Sequence, residues 1–179
     1  RAVSEGWRRT RVNSRRELKF LARPLVLDDE PGVRKFFLLD ASGQPKGLAF
    51  FDPIYRDGEI VGYLSNTRRW LPDAGPFASY AMVRKAIETF KSEGIARFHL
   101  GIMPLHAIED TEFSHSWLAR RAFRLIYTSN IANSVIYPLR GLAEHKASFD
   151  GSFEQVYCAL NTFPVLPRLV KLIVACCIL

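Results

Sequence analysis

The sequence predicts an α/β protein of the α+β kind, in which a mixed, mainly antiparallel sheet is flanked by helices. Apolar, aromatic-rich runs separated by turn residues predict antiparallel strands in succession. Farther along, residues 77–92 carry apolar side chains at helical spacing, and Gly94 follows as a C-terminal cap. The run 96–102 comes directly afterwards and reads as a buried strand. Because a helix, a glycine and a strand end an α/β crossover, this strand should join the same sheet.

Residues 4–22 read as a mostly polar helix that ends in a short apolar anchor before Pro24. The strands 33–39 and 47–51 flank the turn residues 40–45, which predict a hairpin, and a third strand, 59–64, follows a second turn. After the crossover, we expect a helix over 114–127, a late strand over 153–160 and an apolar tail. The predicted order is helix, three strands, helix, strand, helix, loop, strand, helix.

The composition describes a chain that folds around a core and prefers anionic partners. Its 179 residues are 48% apolar and 24% charged, which excludes a disordered chain and a bundle of membrane spans. The net charge of +7 favours nucleic acid, an anionic membrane or a phosphorylated substrate as the partner. Many basic residues fall in the first 23 positions, where they form either the solvated face of a helix or a helix that covers a neighbouring domain.

The cysteines and histidines do not predict a metal site. The three cysteines lack ligand spacing and include the vicinal pair Cys176-Cys177, so we expect a reducing compartment rather than a disulfide framework. The four histidines share no helical face or ligand spacing.

Several strings resemble the catalytic domain of phosphatidylglycerol lysyltransferases and related aminoacyl-tRNA-dependent transferases. They are Gly47–Tyr55 (GLAFFDPIY), Gly62-Tyr63 with Arg68-Arg69 downstream, Glu93-Gly94 leading into Leu100–Leu105 (LGIMPL), and Gly141-Leu142 followed by His145-Lys146. The resemblance covers roughly residues 20–160 and implies a GNAT-like fold. The corresponding organisation is a basic N-terminal helix (1–23), a GNAT-like transferase domain (24–162) and an apolar C-terminal helix (163–179). That last helix either lies on a membrane surface or packs on the sheet.

The most specific string, LGIMPL, is similar to the family motif LGxxPL. A buried strand ends at Gly101, where the missing Cβ lets a substrate chain approach the backbone, and Pro104 stiffens the exit. The resemblance makes Gly101 and Met103 substrate-binding candidates. One segment departs from the family pattern: where relatives usually carry a tryptophan and an arginine, residues 152–157 contain Phe153, Gln155 and Val156.

The string GLxxHK is similar to the family pattern GLxxxK and makes His145 and Lys146 the catalytic candidates. Lysine would contact a phosphate or carbonyl oxygen, and histidine would act as a general base or hydrogen-bond donor. The alternative is that both lie on a solvated turn after Gly141.

Two further pairs are substrate-binding candidates. Arg68 and Arg69 follow a predicted strand end, where a guanidinium could bind a phosphate, or they form a surface pair beside Trp70. Asn130 and Asn133 lie in a polar stretch that either lines a substrate cleft or is an ordinary loop.

The resemblance implies transfer of an amino acid, lysine or alanine, from aminoacyl-tRNA to a phospholipid such as phosphatidylglycerol, at the cytoplasmic face of the bacterial inner membrane. The expected partners are aminoacyl-tRNA, an anionic phospholipid or membrane surface, and further domains of the same chain, because relatives join two such domains in tandem. No cofactor or metal is expected, since the donor ester is already activated.

Two alternatives remain. The first is a coenzyme A-dependent N-acyltransferase, but the region that would cradle the pyrophosphate, residues 68–78, has Gly75 as its one glycine, followed by Pro76. The second is a non-catalytic lipid- or tRNA-binding module.

Overall fold

The structure is a computed structural model that describes residues 1–10, 23–108, 117–157 and positions 167, 168, 170, 171 and 175. The chain forms two compact units, unit 1 (Arg1–Gly101) and unit 2 (Ile102–Leu179). The division falls inside the LGIMPL string. Much of the apolar tail 163–179, and most of the predicted N-terminal helix, lie outside the described residues.

Unit 1 is built on a four-stranded mixed sheet in the order β1-β2-β3-β4. The strands are β1 (Arg34–Leu39), β2 (Pro45–Arg56), β3 (Glu59–Trp70) and β4 (Arg97–His99). The first three are antiparallel, and β4 runs parallel to β3. The predicted fold class is therefore confirmed.

The described residues of unit 1 also form three helical segments. They are α1 (Ala2–Arg9), a short 3-10 helix (Pro72–Ala74) and α2 (Ala78–Ser92). The helix predicted over 77–92 begins one residue later, at Ala78, and ends where predicted. The helix predicted over 4–22 begins earlier, at Ala2, and ends at Arg9 with Thr10 as its C-cap, so it does not run continuously to residue 22 as predicted.

Strands β2 and β3 are longer than their apolar runs predict, because they continue to pair beyond those runs. The register joins Gly47 to Trp70 and Leu48 to Arg69. Arg68 and Arg69 consequently lie inside β3, and the expectation that they follow a strand end is wrong. Cross-strand hydrogen bonding holds polar residues in the sheet here despite their weak apolar pattern.

The central strand β2 is buried on both faces of the sheet over Leu48–Phe51. One face forms the larger core against α2, with the buried residues Ala49, Phe51, Tyr63, Met82, Ala86 and Phe90. On the other face, Leu48 and Phe50 pack with Val3 of α1. The aromatic rings of the larger core meet edge to face or stacked, with the Tyr63 and Phe90 centroids 4.2 Å apart. Burial on both faces explains why GLAFF reads as a continuous apolar run rather than an alternating one.

A glycine allows β4 to approach β3. A Cβ at Gly62 would lie 2.8 Å from the carbonyl oxygen of Arg97, closer than real Cβ contacts come. The parallel pairing continues through Tyr63 with Phe98 and Leu64 with His99. Strand β4 is shorter than the predicted run 96–102 and ends at His99, which leaves Leu100 and Gly101 to lead out of the sheet.

The described part of unit 2 is helical. It contains α3 (Trp117–Thr128), a π-helical turn (Ala132–Ile136) and α4 (Leu139–Ala147). The polar stretch 128–134, predicted either to line a substrate cleft or to form an ordinary loop, is largely helical, and His145 and Lys146 lie in the last turn of α4 rather than on a loop. Residues 153–157 form no strand, contrary to the prediction, and 158–160 lie outside the described residues.

Candidate functional site

The residues that follow the sheet, Ile102–Ala107, form a strained segment that we call the strand-exit loop. Gly101, just before it, has φ +80°, and inside it Leu105 and Ala107 have φ +60° and +49°. Left-handed backbone is unfavourable for residues with a Cβ, and such strain concentrates at functional sites. The loop coincides with the most specific motif of the sequence.

Lys146 fastens the start of the strand-exit loop. Its side chain reaches from the last turn of α4, and Nζ donates a hydrogen bond of 2.7 Å to the carbonyl oxygen of Ile102. Lys146 is 8% exposed, whereas Ile102 is 43% exposed. The ammonium of a buried lysine thus bonds a residue that is itself exposed, and a charge-assisted bond of this kind is stronger than a neutral one.

His106 holds the other end of the loop, and sequence analysis missed it. Its Nδ1 lies 2.9 Å from the Tyr127 hydroxyl on α3, and its ring centroid lies 6.3 Å from that of Phe153. The signal available in the sequence is its place two residues after Pro104 of the motif.

His145 neighbours Lys146 and meets the ring of Phe149 edge to face, with centroids 5.5 Å apart. It is half-buried. Both side chains extend from the last turn of α4.

The two asparagines join the elements of unit 2. Asn133 Nδ2 donates to the carbonyl oxygens of Tyr127 and Ser129, both at 2.8 Å, and its Oδ1 accepts from the Arg140 backbone N–H at 3.0 Å. Asn130 Oδ1 accepts from the Arg140 guanidinium. Together they tie the end of α3 to the start of α4, the helix that carries Lys146.

Arg68 and Arg69 lie on opposite faces of the sheet of unit 1. Arg68 faces α2, where its guanidinium lies 3.4 Å from the Ser79 hydroxyl. Arg69 faces α1 and is 4% exposed. Its guanidinium donates to the Ser4 hydroxyl and lies 5.3 Å from the centre of the Trp7 ring. The pair therefore cannot act as a double cation on one phosphate, and Arg69 has an evident packing role.

An ion-pair network surrounds Asp52 of the GLAFFDPIY string. Arg23 donates to Glu30 and to Asp52, and Asn66 donates to the other Asp52 oxygen. The hydrogen bond from Arg23 is the main cause that lowers the pKa of Glu30, and the same bond raises the pKa of Arg23. This network joins the residues before β1 to the middle of the sheet.

Two further features are absent from the described residues. No group of three His, Cys, Asp or Glu side chains there is arranged to hold a metal ion. None of the helices described is long and apolar enough to cross a membrane.

Comparisons with known proteins agree with the motifs. The family model for phosphatidylglycerol lysyltransferase, C-terminal, matches residues 1–160. The solved structure of L-PGS from Bacillus licheniformis matches with a TM-score of 0.68 and 18% identity, over 99% of this chain and 50% of that one. The chain thus spans half the length of that relative and shares its fold. No curated protein matches. With nine tenths of its length matched, the chain belongs to the phosphatidylglycerol lysyltransferase C-terminal family.

Proposed function

We propose that the chain is an aminoacyl-tRNA-dependent transferase that moves lysine or alanine to the headgroup of a phospholipid such as phosphatidylglycerol. The observation that carries the proposal is the bond from Lys146 to the Ile102 carbonyl, because it joins the two motifs most typical of the matched family. The proposed location is the cytoplasmic face of the bacterial inner membrane, and the proposed partners are aminoacyl-tRNA, an anionic phospholipid surface and further domains.

The reaction is an ester exchange. A lipid hydroxyl attacks the carbonyl carbon of the aminoacyl ester, and a new ester bond forms while the bond to the terminal ribose oxygen breaks. The proton of the lipid hydroxyl ends on that ribose oxygen. Because the donor ester is activated, the step needs no cofactor or metal, and the protein's task is to orient two anionic substrates and stabilise the developing oxyanion.

The candidate residues divide into reacting and positioning groups. Lys146 places a cation beside the strand-exit loop, where it fixes the backbone and stabilises negative charge that develops nearby. His145 is the proposed general base for the lipid hydroxyl. Gly101, which lacks a Cβ, and Met103 are the proposed contacts of a substrate chain along the loop, and the asparagines hold α4 in place. Within unit 1, Arg68 is a proposed phosphate contact.

The test is mass spectrometry of lipids from cells that carry the gene encoding this chain, lack it, or carry variants. We expect a lipid whose headgroup mass is increased by one lysyl or alanyl residue, and we expect Lys146→Ala to reduce that lipid about 100-fold. Lys146→Arg, which keeps the cation, should restore part of the product. Lys85→Ala removes an exposed lysine from α2 and should leave the product unchanged.

Equal protein abundance of each variant is checked by immunoblot. If deletion of the gene changes no headgroup, the lipid-transfer proposal fails. If purified protein instead transfers acetyl groups from acetyl-CoA, the coenzyme A alternative replaces it. If Lys146→Ala and His145→Ala both leave the lipid profile unchanged at normal abundance, the catalytic assignment fails and a binding module is the better interpretation.

A further inference from the structure

Helix α3 carries cations and large apolar side chains together on a solvent-exposed face. Its 12 residues, WLARRAFRLIYT, include three arginines and no acidic residue. Trp117 is 67% exposed and Leu125 is 62% exposed. Neither the catalytic candidates nor the sequence motifs described above include any of these residues.

Helical geometry gathers these side chains into one stripe, which we call the α3 face. Its members are Trp117, Leu118, Arg121, Arg124 and Leu125. At 3.6 residues per turn, they fall within one arc of roughly 120°. Ala119 lies on the opposite side and is buried. The helix therefore packs through small and half-buried residues and presents its mixed apolar and cationic stripe outward.

An open recess borders the α3 face. Trp117, Arg120, Arg121, Arg124 and Leu125 line it, and its volume is about 430 Å³. Guanidinium groups at such a recess suit phosphate oxygens, which they bind through paired N–H donors.

The combination of side chains distinguishes between two anionic surfaces. RNA would satisfy the arginines but would leave the exposed leucines in water. An anionic membrane satisfies both, because the arginines meet phosphate groups while tryptophan and leucine enter the boundary between headgroups and acyl chains. Tryptophan in particular is favoured at that boundary.

We infer that the α3 face docks the protein on an anionic phospholipid surface, with the arginines at the headgroup phosphates and Trp117, Leu118 and Leu125 inserted beside them. The inference deepens the proposed function, since it names the surface that would bring the lipid substrate to the enzyme. It does not depend on the transfer reaction itself.

The experiment is co-sedimentation of the purified protein with vesicles of phosphatidylcholine alone or mixed with phosphatidylglycerol, without any tRNA. We expect binding only to the mixed vesicles. Arg121→Glu should weaken it at least about fivefold at low salt, with a smaller effect at high salt. Trp117→Ala should weaken it at least about fivefold at either salt concentration, because it removes buried apolar area.

Two variants in unit 1 serve as matched controls. Lys85→Glu makes the same change in charge as Arg121→Glu at an exposed site on α2, and Phe77→Ala removes another ring, which is 73% exposed. Each should change binding less than twofold. Circular dichroism checks that all variants fold, and Leu125→Ala provides a second apolar variant with the same expected direction as Trp117→Ala.

Three results would overturn the inference. Equal losses from Lys85→Glu and Arg121→Glu would assign binding to net charge, and unchanged binding by Trp117→Ala and Leu125→Ala would exclude insertion. If an RNA duplex binds the protein and Arg121→Glu weakens that binding while vesicle binding stays intact, the face binds RNA. Because the vesicles contain no donor, failure here leaves the lipid analysis of the transfer reaction unaffected.

Discussion

The core of unit 1 packs several aromatic rings and a buried arginine against its own chain, whereas the described part of unit 2 turns several of its large apolar and cationic side chains outward. In unit 1, Phe51 and Phe90 are almost fully buried, and Arg69 is buried against α1. In unit 2, Trp117, Leu125 and Ile131 are each more than 60% exposed.

We therefore interpret unit 1 as a scaffold and the exposed side chains of unit 2 as a recognition surface. Apolar and polar groups that are packed or hydrogen-bonded within the protein stabilise the fold but are not available to a partner. Exposed apolar groups beside cations are typical of an interaction site. Lys146 shares features of both units, because it is buried like Arg69 but donates its hydrogen bond to Ile102, an exposed residue of the strand-exit loop. We expect substitutions in unit 1 to act mainly on stability and those in unit 2 mainly on function.

The largest expected difference in the free energy of unfolding is between the variants Phe90→Ala and Leu125→Ala. Phe90 is 1% exposed and stacks on Tyr63, so its removal should lower the free energy of unfolding by about 3–5 kcal/mol. Leu125 is mostly exposed, and its removal should cost less than about 0.5 kcal/mol. Urea unfolding followed by circular dichroism measures both. Similar losses from the two variants would remove the contrast between the units.

The second expected difference in the free energy of unfolding is between two variants of neighbouring residues in β3. Arg69→Met should lower the free energy of unfolding by about 2 kcal/mol, because it leaves the Ser4 hydroxyl without this donor and removes the cation from the Trp7 ring. Arg68→Met should cost about 0.5 kcal/mol, as its contact with Ser79 is long and less buried. Thermal unfolding compares them. A larger loss from Arg68→Met would show that the α1 face of the sheet contributes less than its packing indicates.

The smallest expected effect concerns the ion pair of Arg34 with Glu93 in unit 1. Arg34 donates two hydrogen bonds to Glu93, at 2.7 and 2.8 Å, and this bonding lowers the pKa of Glu93 below its ordinary value of 4.5. The stabilisation is therefore fully present above pH 4.5 and is lost as the pH falls through the lower pKa of the folded state. Since both side chains are more than a third exposed, water screens the pair and the effect is small.

Melting temperatures of the wild type and Glu93→Gln, measured from pH 7 downward, test this sign. The two curves should differ slightly at neutral pH and converge in acid. A difference that grows as the pH falls would contradict the assigned direction. Glu144→Gln, at an exposed position in unit 2, is the matched control.

The sequence predicted the parts of the fold that depend on local pattern. Turn residues located the first hairpin, where the Asp40 carboxylate accepts from the backbone N–H groups of Ser42 and Gln44. Helical spacing located α2 to within one residue, and the continuous run GLAFF marked the central strand. The motifs also located the segment that the structure shows to be strained.

The sequence patterns gave wrong predictions where contacts with residues distant in the chain decide the local conformation. The late strand near 153–157 is absent because apolar composition alone does not supply a neighbouring strand to pair with. The polar stretch 128–134 is helical because Asn133 satisfies backbone groups there, which polarity alone would assign to a loop.

By itself, the sequence determined the family, the order of the early strands and the candidates Gly101, His145 and Lys146, because motifs and periodicity are local properties of the chain. Only the tertiary structure decided what those candidates contact. Adjacent residues of a strand point to opposite faces, so Arg68 and Arg69 separate once β3 extends through them. Likewise, Lys146 meets Ile102 across 44 positions of sequence, a contact that only folding can create.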